Sequence, residues 1–244
     1  MNFLKAKDYE KHAKVQDFMG LKLCEILKNL RISHFEKVFE FGCGRGELSK
    51  KLQNFITFDE YLKNDILDFK EITFDEYLKN DILDFKENSS ILIFDMNEIA
   101  KQDLSKEKFD LIVSNATLQW LDLKRIIPSL RDMLNQNGIL LLSTFAEQNL
   151  KEIKQSTGFG LNYFSLNELE QIFKVYFNEV KITQELIKLS FDNALDVFRH
   201  LKLSGVNSLG FYPLNKGFLK EFEEKFQNKL TYHPVFILCK NDIK

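Results

Sequence analysis

Cysteine, proline and tryptophan are all scarce in this sequence. Three cysteines, three prolines and one tryptophan occur among its 244 residues. Cys24, Cys43 and Cys239 are odd in number and far apart, which argues against a disulfide framework and against the closely spaced pairs of a zinc site. We therefore expect no metal centre, and we expect the reducing environment of the cytoplasm.

An excess of charge of one sign and long apolar runs are also missing. The formal net charge is −2, which argues against the broad basic surface that nucleic acid requires. No apolar run approaches the ~18 residues that would span a bilayer, and the N-terminus has no apolar signal-peptide core. We expect a cytoplasmic monomer with no nucleic-acid or membrane partner.

Glycine is scarce as well, with ten residues, yet three of them occupy alternate positions at Gly42, Gly44 and Gly46. Residues 38–41 before them are mostly apolar, and a helical pattern follows them. This predicts a buried strand that turns sharply into a helix. Because glycine has no Cβ, a ligand can approach the backbone there and the unpaired N–H groups of the helix. The loop predicts a nucleotide-like ligand rather than an ordinary tight turn.

Strand-like and helix-like segments alternate along the first 143 residues, which predicts a parallel, doubly wound α/β sheet. The predicted strands are residues 35–41, 61–66, 90–94, 109–114 and 139–143, and the predicted helices are residues 4–30, 47–55 and 122–135.

Beyond Thr144 the pattern changes. We predict a mobile loop over 145–164, helices over 166–176, 194–203 and 214–229, and strands over 180–191 and 230–240. With these two strands, the sequence predicts a mostly parallel seven-stranded sheet that has one antiparallel strand near its edge and helices on both faces.

Residues 56–71 are repeated without change at 72–87. Two copies are too few for a solenoid, so we interpret them as a local tandem duplication, one copy of which supplies the second strand. In nucleotide-binding sheets an acid some 20 residues past the glycines holds ribose hydroxyls. Asp65 lies 23 residues after Gly42, whereas its twin Asp81 lies 39 after it. The shorter spacing favours Asp65, but identical sequences have identical propensities, and Asp81 stays an alternative.

The glycine loop, preceded by Glu40, together with Asp65, Asp95 and residues 109–115, resembles the class I S-adenosylmethionine-dependent methyltransferases. Residues 9–16, 114–120 and 199–207 are similar to the malonyl-[acyl-carrier protein] O-methyltransferase family. The similarity runs over nearly the whole chain, except for one copy of the repeat. It implies a single Rossmann-like domain over 1–244, with a helical lid at 1–30, a cofactor-binding core at 38–143 and acceptor-side elements at 145–229.

The resemblance also implies S-adenosylmethionine as the cofactor and assigns residues to it. The glycine backbone approaches its amino-acid end, Asp65 takes the ribose hydroxyls, and Asp95 with Met96 meets the adenine. The full set of cofactor-binding candidates is Tyr9, Gln16, Glu40, Gly42, Cys43, Gly44, Gly46, Asp65, Asp95, Met96 and Asn115. The substrate-binding candidates are Gln119, Trp120 and Arg199, whose planar guanidinium matches a carboxylate.

The reaction implied is methyl transfer to the free carboxylate of a malonyl thioester, on acyl-carrier protein or coenzyme A, an early step of biotin synthesis. A carboxylate is already ionised at pH 7, with a reference pKa of about 4, so we assign no catalytic residue and expect a positioning mechanism. Three alternatives stay open: a methyltransferase of another small carboxylic acid or metabolite, a non-catalytic protein that binds S-adenosylmethionine, and, least favoured by the glycine spacing, a nicotinamide-dependent dehydrogenase.

Overall fold

The computed structural model describes residues 13–66, 91–204 and 214–242. Its α-helices are α1 (Lys14–Asn29), α2 (Glu47–Leu52), α3 (Leu123–Asp132), α4 (Lys151–Thr157), α5 (Leu166–Lys174), α6 (Ala194–Leu203) and α7 (Lys216–Phe226). Its strands are β1 (His34–Phe41), β2 (Thr57–Asp65), β3 (Ile91–Ile93), β4 (Phe109–Ser114), β5 (Leu134–Phe145), β6 (Glu179–Gln184), β7 (Ile187–Ser190), β8 (Lys229–Tyr232) and β9 (Pro234–Lys240). Short 3₁₀ helices span Met96–Lys101, Asp103–Lys106 and Leu118–Trp120.

Seven strands form the central sheet in the order β3-β2-β1-β4-β5-β9-β6. The strands β1 to β5 pair in parallel along this order, and β9 runs antiparallel to both β5 and β6. This confirms the predicted mostly parallel sheet with one antiparallel strand near its edge. Because β1 to β5 share a direction, their carboxyl ends lie together on one edge, where ligands bind in open sheets of this kind.

Apolar side chains cover both faces of the sheet, because successive residues of a strand point to opposite sides. Val38 joins a core cluster that includes Leu23 of α1, whereas its neighbour Phe39 joins a second cluster that includes Ile126 of α3. Burying one large apolar side chain stabilises the fold by roughly 1.5–3 kcal/mol. The predicted helices on both faces are therefore present. Within the described residues, none of the helices combines the length and apolar character needed to cross a membrane.

The first copy of the repeat forms β2. This strand pairs in parallel with β1 on one side and with β3 on the other, and it begins at Thr57 rather than at the predicted Tyr61. Two residues of β2, Tyr61 and Asn64, are buried. The second copy, with Asp81, lies outside the described residues. The preference for the first copy as the second strand is therefore confirmed.

The predicted loop over 145–164 is wrong in part, because it contains the helix α4. Ile153 of this helix is buried in the core, which anchors the helix to the sheet. Gly158 lies in this stretch and is a residue typical of loops, but it has φ 75° and forms the C-cap of α4. A left-handed glycine commonly ends a helix, and the sequence alone did not distinguish that role from a loop.

Each of the two late strands is in fact a pair of strands. The segment predicted over 180–191 forms β6 and β7, and the segment over 230–240 forms β8 and β9, with His233 at the break. β6 and β9 pair in the central sheet, whereas β7 and β8 pair with each other in a separate two-stranded sheet. Hydrophobic alternation marks a strand but does not say which partner it pairs with.

Deletion of residues 72–87 tests whether the fold needs the second copy. Removal of 56–71 would give the same sequence, so the test does not depend on which copy is removed. β2 and β3 pair through only three residue pairs, from Lys63↔Ile91 to Asp65↔Ile93. At ~3.3 Å per residue, the chain must therefore return by only about 10 Å from the end of β2 to the start of β3. Nine residues would remain between Asp65 and Ile91. This is short for a parallel crossover, which usually takes a dozen or more residues, but nine extended residues still reach roughly 30 Å.

We expect the shortened protein to fold, with an unchanged far-UV circular dichroism spectrum and a Tm within about 5 °C of the parent, a change of about 1–2 kcal/mol. An unfolded or aggregated product would show that β2 and β3 need the longer connection.

Candidate functional site

The glycine loop joins β1 to α2 at the carboxyl edge of the sheet. Gly42, Gly44 and Gly46 have φ angles of 63°, 53° and 79°, which side chains other than glycine adopt at a cost. A Cβ on Gly42 would lie 2.2 Å from Thr117 Oγ1, whereas a Cβ on Gly44 would meet no atom within 4 Å. Gly42 therefore packs tightly against the loop after β4, and Gly44 leaves one side of the glycine loop open.

Asp65, at the carboxyl end of β2, holds the glycine loop from the neighbouring strand. The Gly44 N–H donates to Asp65 Oδ2 at 2.8 Å, and the Cys43 N–H donates to the Asn64 carbonyl oxygen at 3.0 Å. Asp65 is only 8% exposed. Since hydrogen bonds to a carboxylate are roughly twice as strong as neutral ones, the conformation of the loop depends on this acid. The structure brings together the two features that the sequence spacing linked.

Glu40 lies on β1, underneath the same loop. It is 1% exposed, and its Oε2 accepts a hydrogen bond from the Tyr61 hydroxyl at 2.7 Å. Burial raises the pKa of Glu40 to about 7, although the bond from Tyr61 and the positive charge of Lys63 oppose the rise. The carboxylate also raises the pKa of Tyr61, adding to the effect of burial. Glu40 is thus a buried acid, two residues before the glycine loop, that is held by a tyrosine of the neighbouring strand.

Asp95 and Met96 follow β3, next to Asp65 along the sheet edge. Asp95 Oδ1 accepts hydrogen bonds from the Asn97 N–H at 2.9 Å and from Asn97 Nδ2 at 3.0 Å, so it caps the 3₁₀ helix that begins at Met96. Met96 is buried and packs in the core cluster that includes Ile126 of α3. The predicted adenine-side pair therefore sits at the expected edge, with the acid engaged in a local turn.

Asn115 follows β4 and joins three elements. Its Nδ2 donates to the Gln16 carbonyl oxygen of α1 at 2.9 Å, and its Oδ1 accepts from Ser143 Oγ of β5 at 2.6 Å. The nearby Gln119 accepts a hydrogen bond from Thr144 Oγ1 at 3.2 Å. These contacts place α1, β4 and β5 around one polar centre. The structure thus brings Gln16, Asn115 and Gln119 together, although they were predicted from separate stretches.

The other two substrate-binding candidates are Trp120, which directly follows Gln119 along the chain, and Arg199, which lies on a different helix. Trp120 is half-buried at the end of a 3₁₀ helix. Arg199 lies on the exposed face of α6, where its side chain is 64% exposed and its Nη1 is 2.9 Å from Asp196 Oδ1. Within the described residues, Arg199 forms no hydrogen bond or ion pair with Asn115 or Gln119. Tyr9 lies outside the described residues. The ligand roles assigned to all these residues stay predictions.

Sequence reasoning missed three residues that shape the site. Thr117 contacts the Gly42 backbone, Ser143 orients Asn115, and Tyr61 satisfies Glu40. Ser143 alone gave a signal, as a hydroxyl at the end of an otherwise apolar buried strand. The other two act through contacts 75 and 21 residues away along the chain, which no local pattern encodes.

Substitution of Gly42 by alanine should destabilise the protein more than the same change at Gly44. Both residues have positive φ, which costs an alanine roughly 1–2 kcal/mol, but only Gly42 faces Thr117. We expect Gly42→Ala to cost about 1–3 kcal/mol beyond Gly44→Ala because of overpacking, measured by urea unfolding. Equal losses would show that Thr117 moves away without cost.

Glu40→Gln should change how stability depends on pH in the cofactor-free protein. The pKa of this carboxyl is about 7 in the folded protein, above its ordinary value of 4.5 in the unfolded chain, so the folded state binds more protons between these pH values. Wild-type stability therefore falls as pH rises through that window, whereas glutamine does not titrate. Relative to the variant, the wild type should lose on the order of 3 kcal/mol between pH 4.5 and 8.

Urea unfolding at several pH values measures this difference, with the exposed Glu36→Gln on the same strand as the control. Parallel pH profiles for wild type and Glu40→Gln would contradict the raised pKa of Glu40.

A sequence profile of the methyltransferase domain family matches residues 14–176. The malonyl-[acyl-carrier protein] O-methyltransferase of Calditerrivibrio nitroreducens is 35% identical over an alignment of 250 positions, which covers 98% of this chain and 95% of the relative.

Two crystal structures have a similar fold. The YcgJ protein of Bacillus subtilis has a TM-score of 0.62 at 12% identity, covering 91% of this chain and 99% of its own. A SAM-dependent methyltransferase from Archaeoglobus fulgidus has a TM-score of 0.52 at 14% identity, covering 92% and 94%. The profile match and the full-length relative show that the chain belongs to the methyltransferase family, among the malonyl-[acyl-carrier protein] O-methyltransferases.

Proposed function

We propose that this protein transfers the methyl group of S-adenosylmethionine to the free carboxylate of a malonyl thioester, an early step of biotin synthesis. The cofactor half of the proposal rests on one observation: the left-handed glycine loop at the end of β1, held by the Asp65 carboxylate at the end of β2. The acceptor half rests on the full-length similarity to malonyl-[acyl-carrier protein] O-methyltransferases. The acceptor is malonyl-acyl-carrier protein or malonyl-coenzyme A.

The described residues fit S-adenosylmethionine. The space beside Gly44 is open, so the amino-acid end of the cofactor can approach the loop backbone. Asp65 and Asp95 follow at the ends of the two neighbouring strands, in the order that ribose and then adenine require. Glu40 and Cys43 support the loop, and Gln16 of α1 brings the N-terminal helix over Asn115.

When bound, S-adenosylmethionine supplies an electrophilic methyl carbon on a sulfonium sulfur. With the cofactor held by the glycine loop and the strand-end acids, the acceptor carboxylate would take the methyl group, the electron pair of the C–S bond would remain on sulfur in a neutral thioether, and no proton transfer would be needed. The groups recorded around Asn115 are amides and hydroxyls, which can orient an acceptor without serving as a base. Such positioning can supply ~7–11 kcal/mol of the barrier reduction.

Arg199 is our candidate for the acceptor carboxylate, with Gln119 and Trp120 on the path to the methyl group. Its ion pair with Asp196 is largely exposed, and exposed pairs are worth only about 0–1 kcal/mol. A substrate carboxylate can therefore replace Asp196 at little cost. We further propose that the enzyme is a cytoplasmic monomer, in keeping with the three unpaired, buried cysteines.

Incubation of the purified protein with methyl-labelled S-adenosylmethionine and malonyl-carrier protein tests the function. Malonyl-coenzyme A and acetyl-carrier protein run in parallel, and mass spectrometry detects the methyl ester. We expect ester on the malonyl thioesters and none on the acetyl one, which has no free carboxylate. Cofactor binding without any ester would overturn the acceptor assignment.

Asp65→Ala and Asp81→Ala form a matched pair for the cofactor assignment, because both acids lie in the same 16-residue sequence. Loss of a charge-assisted bond costs about 1.5–3 kcal/mol, so Asp65→Ala should weaken S-adenosylmethionine binding at least tenfold by calorimetry. Asp81→Ala should leave it unchanged. The reverse result would assign the ribose to Asp81, and mild effects of both would indicate that the copies exchange.

A further inference from the structure

A polar cavity of about 270 Å³ lies beside α4. Its walls come from the loop after β5, which supplies Glu147 and Asn149, from Lys151 and Lys154 of α4, and from the segment before α5, which supplies Tyr163. We call it the α4 pocket. None of the residues assigned to the cofactor lines it, so the methyl-transfer proposal leaves it without a role.

The two lysines of the α4 pocket are held by neutral amides. Lys154 Nζ donates to Asn162 Oδ1 at 3.0 Å, and Lys151 Nζ donates to Gln148 Oε1 at 3.4 Å. Neither lysine forms an ion pair with another described residue. Each ammonium has three N–H donors, so it can keep its amide contact and add a hydrogen bond to an anion, in which both partners are charged. The lysines are thus available to an anionic ligand.

The remaining polar walls suit a ligand that has amide groups. Asn149 is 5% exposed and hydrogen-bonds with Tyr163, whose pKa is raised to about 12 by burial. Asn162 lies beside Lys154. Side-chain amides and a neutral phenol donate and accept hydrogen bonds without adding charge. The pocket therefore combines two cations and one carboxylate, Glu147, with neutral groups that can pair with amides.

The α4 pocket lies on the same sheet edge as the polar centre at Asn115. Asn115 and Gln119 bond to Ser143 and Thr144 near the end of β5, and the pocket begins three residues later. The ring of Phe145, the last residue of β5, is 6.4 Å from the ring of Tyr163. Because β4 separates β5 from the glycine loop on β1, the pocket approaches Asn115 from the side opposite the cofactor loop.

We propose that the α4 pocket binds the phosphopantetheine arm of the acceptor thioester. This rests on the proposed function, since a malonyl group reaches the enzyme on such an arm, which has two amides and one phosphate. Lys151 and Lys154 contact the phosphate, and Asn149 and Asn162 pair with the amides. The arm then runs along the end of β5 and brings the malonyl group toward the polar centre at Asn115, with Arg199 still the proposed partner of its carboxylate.

Two small substrates that differ only in the phosphate test this proposal: malonyl-4′-phosphopantetheine and malonyl-pantetheine. We expect wild type to methylate the phosphorylated substrate with a kcat/KM roughly tenfold higher, since phosphate gains charge-assisted bonds. The difference should lie mainly in KM. Lys151→Ala with Lys154→Ala should abolish the preference and leave malonyl-pantetheine unaffected, whereas arginine at both positions should retain it.

The matched control is the double variant Lys174→Ala with Lys220→Ala, which changes the net charge by the same amount. These two lysines lie away from the pocket, in ion pairs with Glu170 and Glu224. This control should keep the preference for phosphate. If both double variants lost the preference for phosphate equally, the preference would come from long-range charge, and the proposed role of the α4 pocket would be wrong. Equal kcat/KM values for the two substrates in wild type would overturn it as well.

Calorimetric titration with 4′-phosphopantetheine separates this proposal from the proposed function, because it needs no turnover. Binding to wild type and at least fivefold weaker binding to the pocket variant would support the α4 pocket even if no malonyl thioester were methylated. Equal binding by the two proteins, or none by either, would reject the pocket while leaving the methyl-transfer assay to stand on its own result.

Discussion

The hydrogen bond from the Gly44 N–H to the Asp65 carboxylate joins the ends of two neighbouring strands, and the proposed cofactor edge depends on it. Without that bond, the turn after β1 would lose its side-chain anchor and keep only the backbone bond from Cys43 to Asn64 on the β2 side. Its positive-φ glycines lose more conformational entropy on folding than other residues. Asp65 fixes the loop from β2, while Thr117 packs against Gly42 from the β4 side. The loop is thus held between the two strands that flank β1.

Glu40 is an ionisable side chain buried on β1, where an unpaired charge costs free energy. Its burial raises its pKa, while the hydrogen bond from Tyr61 and the positive charge of Lys63 oppose the rise. Burial of an unpaired carboxylate would cost several kcal/mol, so the tyrosine hydroxyl is needed to satisfy the acid. Such a network is a constraint on both strands: Tyr61 comes from β2, and its place opposite β1 requires the parallel register of the two.

We propose that the two halves of the sheet edge have different roles, one in binding the cofactor and the other in binding the acceptor. Strands β1, β2 and β3 present the glycine loop and the two acids, which suit a cofactor with polar hydroxyls and a charged end. Strands β4 and β5 present amides and hydroxyls around Asn115 and lead to the lysine-bearing α4 pocket. The reaction we propose needs no proton transfer, so neutral groups around the acceptor are sufficient.

The sequence by itself determined the alternating strands and helices, the glycine turn and the strand-end acids. Each of these is a local signal, such as a run of apolar residues or a glycine spacing that backbone sterics require. It also favoured Asp65 over Asp81 through chain spacing, and β2 in the structure is the first copy. The similarity to methyltransferases added the names of the ligands, which no periodicity could supply.

Tertiary structure alone decided the contacts that act across the chain. Thr117 against Gly42, Tyr61 on Glu40 and Ser143 on Asn115 depend on the order and register of strands, which hydrophobic patterns leave undefined. The division of the last strands between two sheets has the same cause, as does Gly158, which ends α4 instead of opening a loop. Arg199 faces Asp196 on an exposed surface because the buried face of α6 holds its apolar side chains. Sequence specifies which groups are present, whereas their partners follow from packing of elements that are distant along the chain.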